Sequence, residues 1–107
     1  MAVKEPLIPF SMYDVDHVIA DLDAIRKCNP QRFEIEQLTA VVFEDFDNRS
    51  IVGYVDTSLD DFWVRGHMPG MPLMPGVLMC EAAAQLASYF VQKNDILGCE
   101  MVIPITK

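Results

Sequence analysis

The stretch from Gly76 to Val91 has the spacing of a helix with apolar residues on nearly all sides, and this limits what the chain can fold into. A helix of that kind needs a sheet broad enough to cover it; two or three strands leave apolar surface and a long unpaired edge. One acid interrupts the run. Glu81 falls within the first turns, where a buried carboxylate is costly unless it is paired or protonated. Desolvation raises a carboxyl pKa and suits a proton donor, whereas the nearby helix N-terminus favours the anion, and the sequence leaves that balance open. Gln85 lies one turn further along the same face, within reach of the Glu81 side chain or of a ligand.

Immediately upstream, Gly66-His67-Met68-Pro69 opens a loop in which prolines at 69, 72 and 75 forbid regular helix and fix much of the backbone. A loop so constrained can hold the His67 imidazole in place. His67 and Glu81, fourteen residues apart on loop and helix, form a candidate general-base and general-acid pair. Gly76 follows Pro75 at the expected helix start, where free N–H groups and the dipole can polarise a carbonyl oxygen and glycine admits close approach.

The remaining segments supply the sheet. Residues Asp14 to Cys28 are expected to form an amphipathic helix with Val15, Val18, Ile19, Leu22 and Ile25 on one stripe, His17 on its surface and Asn29-Pro30 as its stop. Leu38 to Phe43 and Ile51 to Thr57 have strand composition, and the polar turn between them predicts a hairpin. Asp60-Asp61 form a solvated turn leading to Trp63. Asn94-Asp95 and Gly98 end the long helix, and Met101 to Ile105 is expected to begin another strand.

With 107 residues and no linker, repeat or low-complexity stretch, residues 1–107 are expected to form one domain. The amino terminus lacks the apolar core of a secretion signal and no segment reaches the roughly eighteen apolar residues of a membrane span, which makes a cytoplasmic location the default expectation. Cys28, Cys80 and Cys99 are odd in number and irregularly spaced, as reduced thiols are; Cys80 should point about 100° away from Glu81 round the helix. A formal charge of −8 argues against nucleic acid or an anionic membrane surface as partner.

Taken together, Gly66-His67-Met68-Pro69, Pro75-Gly76-Val77-Leu78 and Glu81-Ala82-Ala83-Ala84-Gln85 resemble the signature of the 3-hydroxyacyl-acyl-carrier-protein dehydratases of the FabZ type. Glutamate at 81 favours that type over the dehydratase-isomerases, which have aspartate there. Met68 stands where the family has phenylalanine, keeping an apolar wall without an aromatic face. A weaker match is Asn29-Pro30-Gln31-Arg32-Phe33, which resembles a Leu-Pro-His-Arg-Tyr/Phe segment, with Gln31 in place of histidine.

The resemblance implies an α+β hotdog fold, an antiparallel sheet wrapped round a long central helix, here incomplete and lacking the C-terminal strands, with the chain covering roughly two-thirds of a whole domain. It also implies at least a homodimer, with His67 of one subunit taking the C2 proton of a 3-hydroxyacyl thioester and Glu81 of the other protonating the departing hydroxyl. The Gly76 amide would bind the thioester oxygen. Trp63 is expected either in the core or beside Phe62 along an acyl tunnel, and Gln85 and Met68 at the substrate. No metal or redox cofactor is implied. The substrate would ride on acyl carrier protein, with Arg26, Lys27, Arg32 and Arg65 as candidate docking charges, or on coenzyme A. Two other readings stand beside this one. One is an inactive hotdog chain acting as an assembly partner; the other is a copper-binding module using His67, Met68, Met71 and Met74 as soft ligands.

Overall fold

The computed structural model describes residues 7–96. The expected strand at Met101–Ile105, and also Gly98 and Cys99, lie outside the described residues. Two antiparallel strands and one long helix dominate, an α+β arrangement of the class the sequence implies.

Strand β1 (Ala40–Asp45) pairs with β2 (Ser50–Tyr54) in the expected hairpin, from Ala40 opposite Tyr54 to Asp45 opposite Ser50. A register shift between Val41 and Phe43 breaks the in-out alternation, so that the consecutive residues Val41 and Val42 are both buried. At the turn, the Arg49 guanidinium lies 4.5 Å from the centroid of the Phe46 ring, and that ring stacks on Phe90.

Helix α1 (Leu22–Cys28) is shorter than the expected Asp14–Cys28 element. Asp21 accepts a hydrogen bond from the Ala24 amide at 2.9 Å and so caps the helix seven residues later than the apolar stripe suggested. Upstream, the Asp14 carboxylate accepts from the Asp16 amide, forming a tight turn that leaves His17 exposed in the turn and not on a helix. The Ile19 and Ala20 amides donate to the Val41 carbonyl, so this segment is an isolated bridge on the edge of β1. Val15, Val18 and Ile19 remain exposed. The β-branched residues that suggested a helical stripe lie instead in a turn and the bends that lead to the bridge at Ala20.

Helix α2 (Gly76–Lys93) begins after Pro75, ends at Asn94, and buries Ala82, Gln85, Tyr89 and Phe90 on one face. Ala20, Ile25, Leu38, Val41 and Tyr89 form the core, with Leu86 and Ile51 packed against it. Gly53 is required here: a Cβ at that position would lie 2.9 Å from the Ala40 carbonyl oxygen and 3.0 Å from Leu86 Cδ1. Glu44 at the end of β1 pairs with Lys93 and accepts from Asn94 Nδ2, tying the strand to the last turn of α2. Among the described residues, no helix is long and apolar enough to cross a membrane.

Candidate active site

The histidine loop is held by its own backbone. The Met68-Pro69-Gly70-Met71 turn closes through reciprocal main-chain bonds between Met68 and Met71, of 3.1 and 2.9 Å, with Gly70 at φ 78°. That φ at the third turn position, after proline, is the geometry glycine adopts without a steric penalty. On either side, the His67 amide donates to the Trp63 carbonyl at 2.9 Å and the Leu73 amide donates to the His67 carbonyl at 2.8 Å.

The imidazole itself is exposed, with Nδ1 2.8 Å from the Leu73 carbonyl oxygen. A carbonyl can only accept, so Nδ1 carries the proton and the neutral ring keeps its lone pair on Nε2. The loop thereby holds the ring through a backbone group of its own.

Glu81 is half-buried and not enclosed, a correction to the expectation from the all-apolar helix. The physical reason is that the core covers only the Ala82, Gln85 and Tyr89 face, and Val77 and Met79 remain 77% and 54% exposed. Cys80 is exposed, on the opposite side of the helix from buried Gln85.

Gln85 accounts for how the carboxylate is held. Its Nε2 donates to Glu81 Oε1 at 3.0 Å and to the Ile35 carbonyl at 2.6 Å, and its Oε1 accepts from the Gln37 amide at 3.0 Å and the Leu38 amide at 3.4 Å. Two donors and two acceptor positions are the full capacity of a side-chain amide. Of the two roles open to it from sequence, contact with Glu81 or with a ligand, Gln85 takes the first. At only 2% exposed, it links α2 to the segment entering β1.

The other expected site residues take distinct places. Gly76 is exposed at the helix start, and nothing lies within 4 Å of where its Cβ would be, so its face is open to an approaching group. Its N–H is one of the helix's first amides, which have no intrahelical acceptor. Met68 is 41% exposed on the turn. Trp63 lines a cleft of about 470 Å³ with Phe33, Phe62 and Met74, in which the carboxylates of Glu34 and Asp60 also take part; His67 is not part of its lining. Met74 thus faces this cleft, whereas Met68 and Met71 are exposed on the turn. No hydrogen bond joins His67 and Glu81 within one chain among the described residues.

The arginines proposed for docking are largely engaged within the chain. Arg26 forms a bidentate pair with Glu36 at 2.7 and 2.8 Å, and its hydrogen bonds hold the Glu36 carboxyl below the usual carboxylate range. Arg32 donates to the Asn29, Gln31 and Arg26 carbonyls, satisfying groups left open at the end of α1. Sequence spacing marks Asn29-Pro30 only as a helix stop. The structure gives Asn29 a second role: 4% exposed, it donates from Nδ2 to the Gln85 main-chain carbonyl at 2.9 Å.

A short antiparallel sheet against a long helix, preceded by a histidine loop, defines a hotdog-type domain. The model of the FabA-like domain matches residues 29–102, and the chain belongs to the FabA-like family. Among curated relatives it is similar to the 3-hydroxyacyl-[acyl-carrier-protein] dehydratase FabZ of Rhizobium rhizogenes, 33% identical over 81% of this chain and 55% of the relative. The protein of the same name from Francisella philomiragia is 35% identical over 70% of this chain and 46% of its own length. That of Acinetobacter baumannii is 40% identical over 69% and 51%. The chain spans about half the length of the curated relatives it matches.

Proposed function

We propose that the chain takes part in the dehydration of 3-hydroxyacyl thioesters to trans-2-enoyl thioesters in fatty acid biosynthesis, working as a homodimer or larger homo-oligomer in the cytoplasm. His67 Nε2 removes a proton from C2, and the electron pair left behind moves toward the thioester carbonyl. The Gly76 amide, at a helix N-terminus, stabilises the charge on that oxygen. Glu81 of the partner subunit donates its proton to the 3-hydroxyl, the C3–O bond breaks, and water leaves as the double bond forms. His67 then returns its proton to Glu81, by way of a bound water or solvent. Trp63 and Met68 supply apolar walls for the acyl chain. Gln85 acts on the carboxylate and not on the substrate.

The observation that carries this reading is the 2.8 Å contact between His67 Nδ1 and the Leu73 carbonyl oxygen, which favours the tautomer with its lone pair on Nε2. Support for a shared site comes from the exposed apolar Val77, Met79 and Leu73 around the start of α2, which an adjoining subunit would cover. The carrier is proposed to be acyl carrier protein, which forms part of the name of the similar dehydratases. Coenzyme A thioesters serve as the soluble test substrate.

Hydration of a crotonyl thioester, the reverse reaction, provides the assay. Replacing a general acid or base typically costs about 10²–10⁴ in rate, so His67→Ala and Glu81→Gln should each lose that much while folding as the unaltered chain does. Turnover unchanged in either variant would remove the corresponding assignment.

A further inference from the structure

Although the chain carries a formal charge of −8, three of its eight basic residues, Arg26, Lys27 and Arg32, fall within the acid-free stretch from 26 to 32. They meet in a hollow of about 380 Å³ between the end of α1 and the last turn of α2, which Gln92 also lines. Among the described residues no carboxylate lines it. Exposed charges are screened over about 8 Å at physiological salt, so the cations of the hollow outweigh the distant acids there.

Arg32 is the fixed point. Its Nη1 donates to the Asn29 and Gln31 carbonyls at 2.8 and 2.7 Å and its Nη2 to the Arg26 carbonyl at 3.2 Å, while Nε has no acceptor among the described residues. All three acceptors are neutral, so the guanidinium is held in place with its charge uncompensated. The same bonds mask oxygens at the end of α1 that would repel an anion. Lys27 is exposed and, like Arg32, forms no ion pair among the described residues. Arg26 differs: Glu36 neutralises it, but Glu36 lines two other clefts and not this one. Asp23, 3.9 Å from Arg26 Nη1, is absent from the lining as well. Two uncompensated cations and a side-chain amide suit an oxyanion with two charges and several acceptor oxygens. The volume falls within the roughly 300–1,000 Å³ of small-molecule sites, which leaves room for a group attached to that anion.

We propose that this hollow binds a phosphate group, with Arg32 and Lys27 as its charged contacts and Gln92 as a neutral donor. Gln92 follows Glu81 on α2 by a distance of about 16 Å along the helix axis, which sets the site apart from the candidate reaction centre. The site does not depend on the dehydratase reading.

Titrating the whole chain with inorganic phosphate, and separately with adenosine monophosphate, tests this by NMR of the backbone and side-chain N–H groups at constant ionic strength. The expected result is a saturable shift at Lys27, Arg32 Nε and Gln92 with at least one probe. Tighter binding of the nucleotide assigns the site to the phosphoryl group of a larger molecule, and otherwise the free ion is the ligand; the proposal stands in both cases. No shift at these positions with either probe, or shifts that sodium chloride alone reproduces, would overturn it. Lys27→Gln should weaken the binding about tenfold at an unchanged urea midpoint. Arg32→Lys, which keeps the charge and loses the fork, should weaken it too. Full affinity in Lys27→Gln would overturn the assignment.

Discussion

Gln85→Leu removes every polar contact that joins α2 to the chain entering β1 while nearly conserving volume, so its cost comes from unpaired groups and not from a void. The Gln37 and Leu38 amides lose their acceptor where those residues are 9% and 5% exposed, and water cannot readily replace it. A buried donor stripped of its partner costs about 1–3 kcal/mol. The Leu38 contact at 3.4 Å is long and adds little, and Ile35, 50% exposed, can rehydrate its carbonyl. The bond to half-exposed Glu81 adds about 0.5–1.5 kcal/mol. The expected destabilisation is therefore about 2–4 kcal/mol, read as a lower midpoint in urea at unchanged m. Gln85→Glu retains the acceptor for Gln37 but loses both donors and sets a second carboxylate against Glu81 and the Ile35 carbonyl in a buried site, so its loss at neutral pH should be at least as large and should shrink as the pH falls. A Gln85→Leu midpoint within about 0.5 kcal/mol of the unaltered chain would refute the buried amide's structural role.

Gly53→Ala should destabilise by about 1–3 kcal/mol, because the added Cβ meets the Ala40 carbonyl as well as two leucine side chains; thermal unfolding checks it. Asp21→Ala removes the cap on α1 and should cost about 1 kcal/mol, with earlier amide exchange at Ala24. Because Arg26 holds the Glu36 carboxyl below its unfolded value, that pair stabilises the fold above the unfolded carboxyl pKa, and the contribution disappears as pH falls through the folded one. Glu36→Gln should accordingly flatten the decline in stability below about pH 4, measured by urea titration across pH, and an unchanged acid limb would contradict the pairing.

The long helix and the hairpin were legible because their signals are local. Pro75-Gly76 and Asn94 bracket an apolar run, and two β-branched runs flank a polar turn. The start of α1 was not, since Val15, Val18 and Ile19 satisfy helical spacing while a pairing with Val41, more than twenty residues away, claims the backbone of Ile19 and Ala20. Glu81 illustrates the other limit. Periodicity reports which faces are apolar, and exposure depends on what packs against them, which for α2 is one face only. His67, Glu81 and Gln85 could be singled out by residue type and spacing, and Gln85 does contact Glu81. The partners that fix them could not, because Leu73, Ile35 and Gln37 contribute backbone groups that leave no trace in a side-chain pattern, some about fifty positions distant. The pairing of Asn29 with the Gln85 carbonyl is hidden for the same reason.

The central claim is that a base from one chain and an acid from another form a single site, and subunit mixing tests it most directly. His67→Ala and Glu81→Gln chains, each inactive alone, are unfolded together and allowed to reassemble. Random pairing makes half the dimers mixed, and each mixed dimer holds one intact His67 and Glu81 combination, so crotonyl thioester hydration should return to about one quarter of the unaltered level. Reassembled dimers that remain inactive, from chains whose unaltered counterpart turns over, would contradict a site shared between subunits.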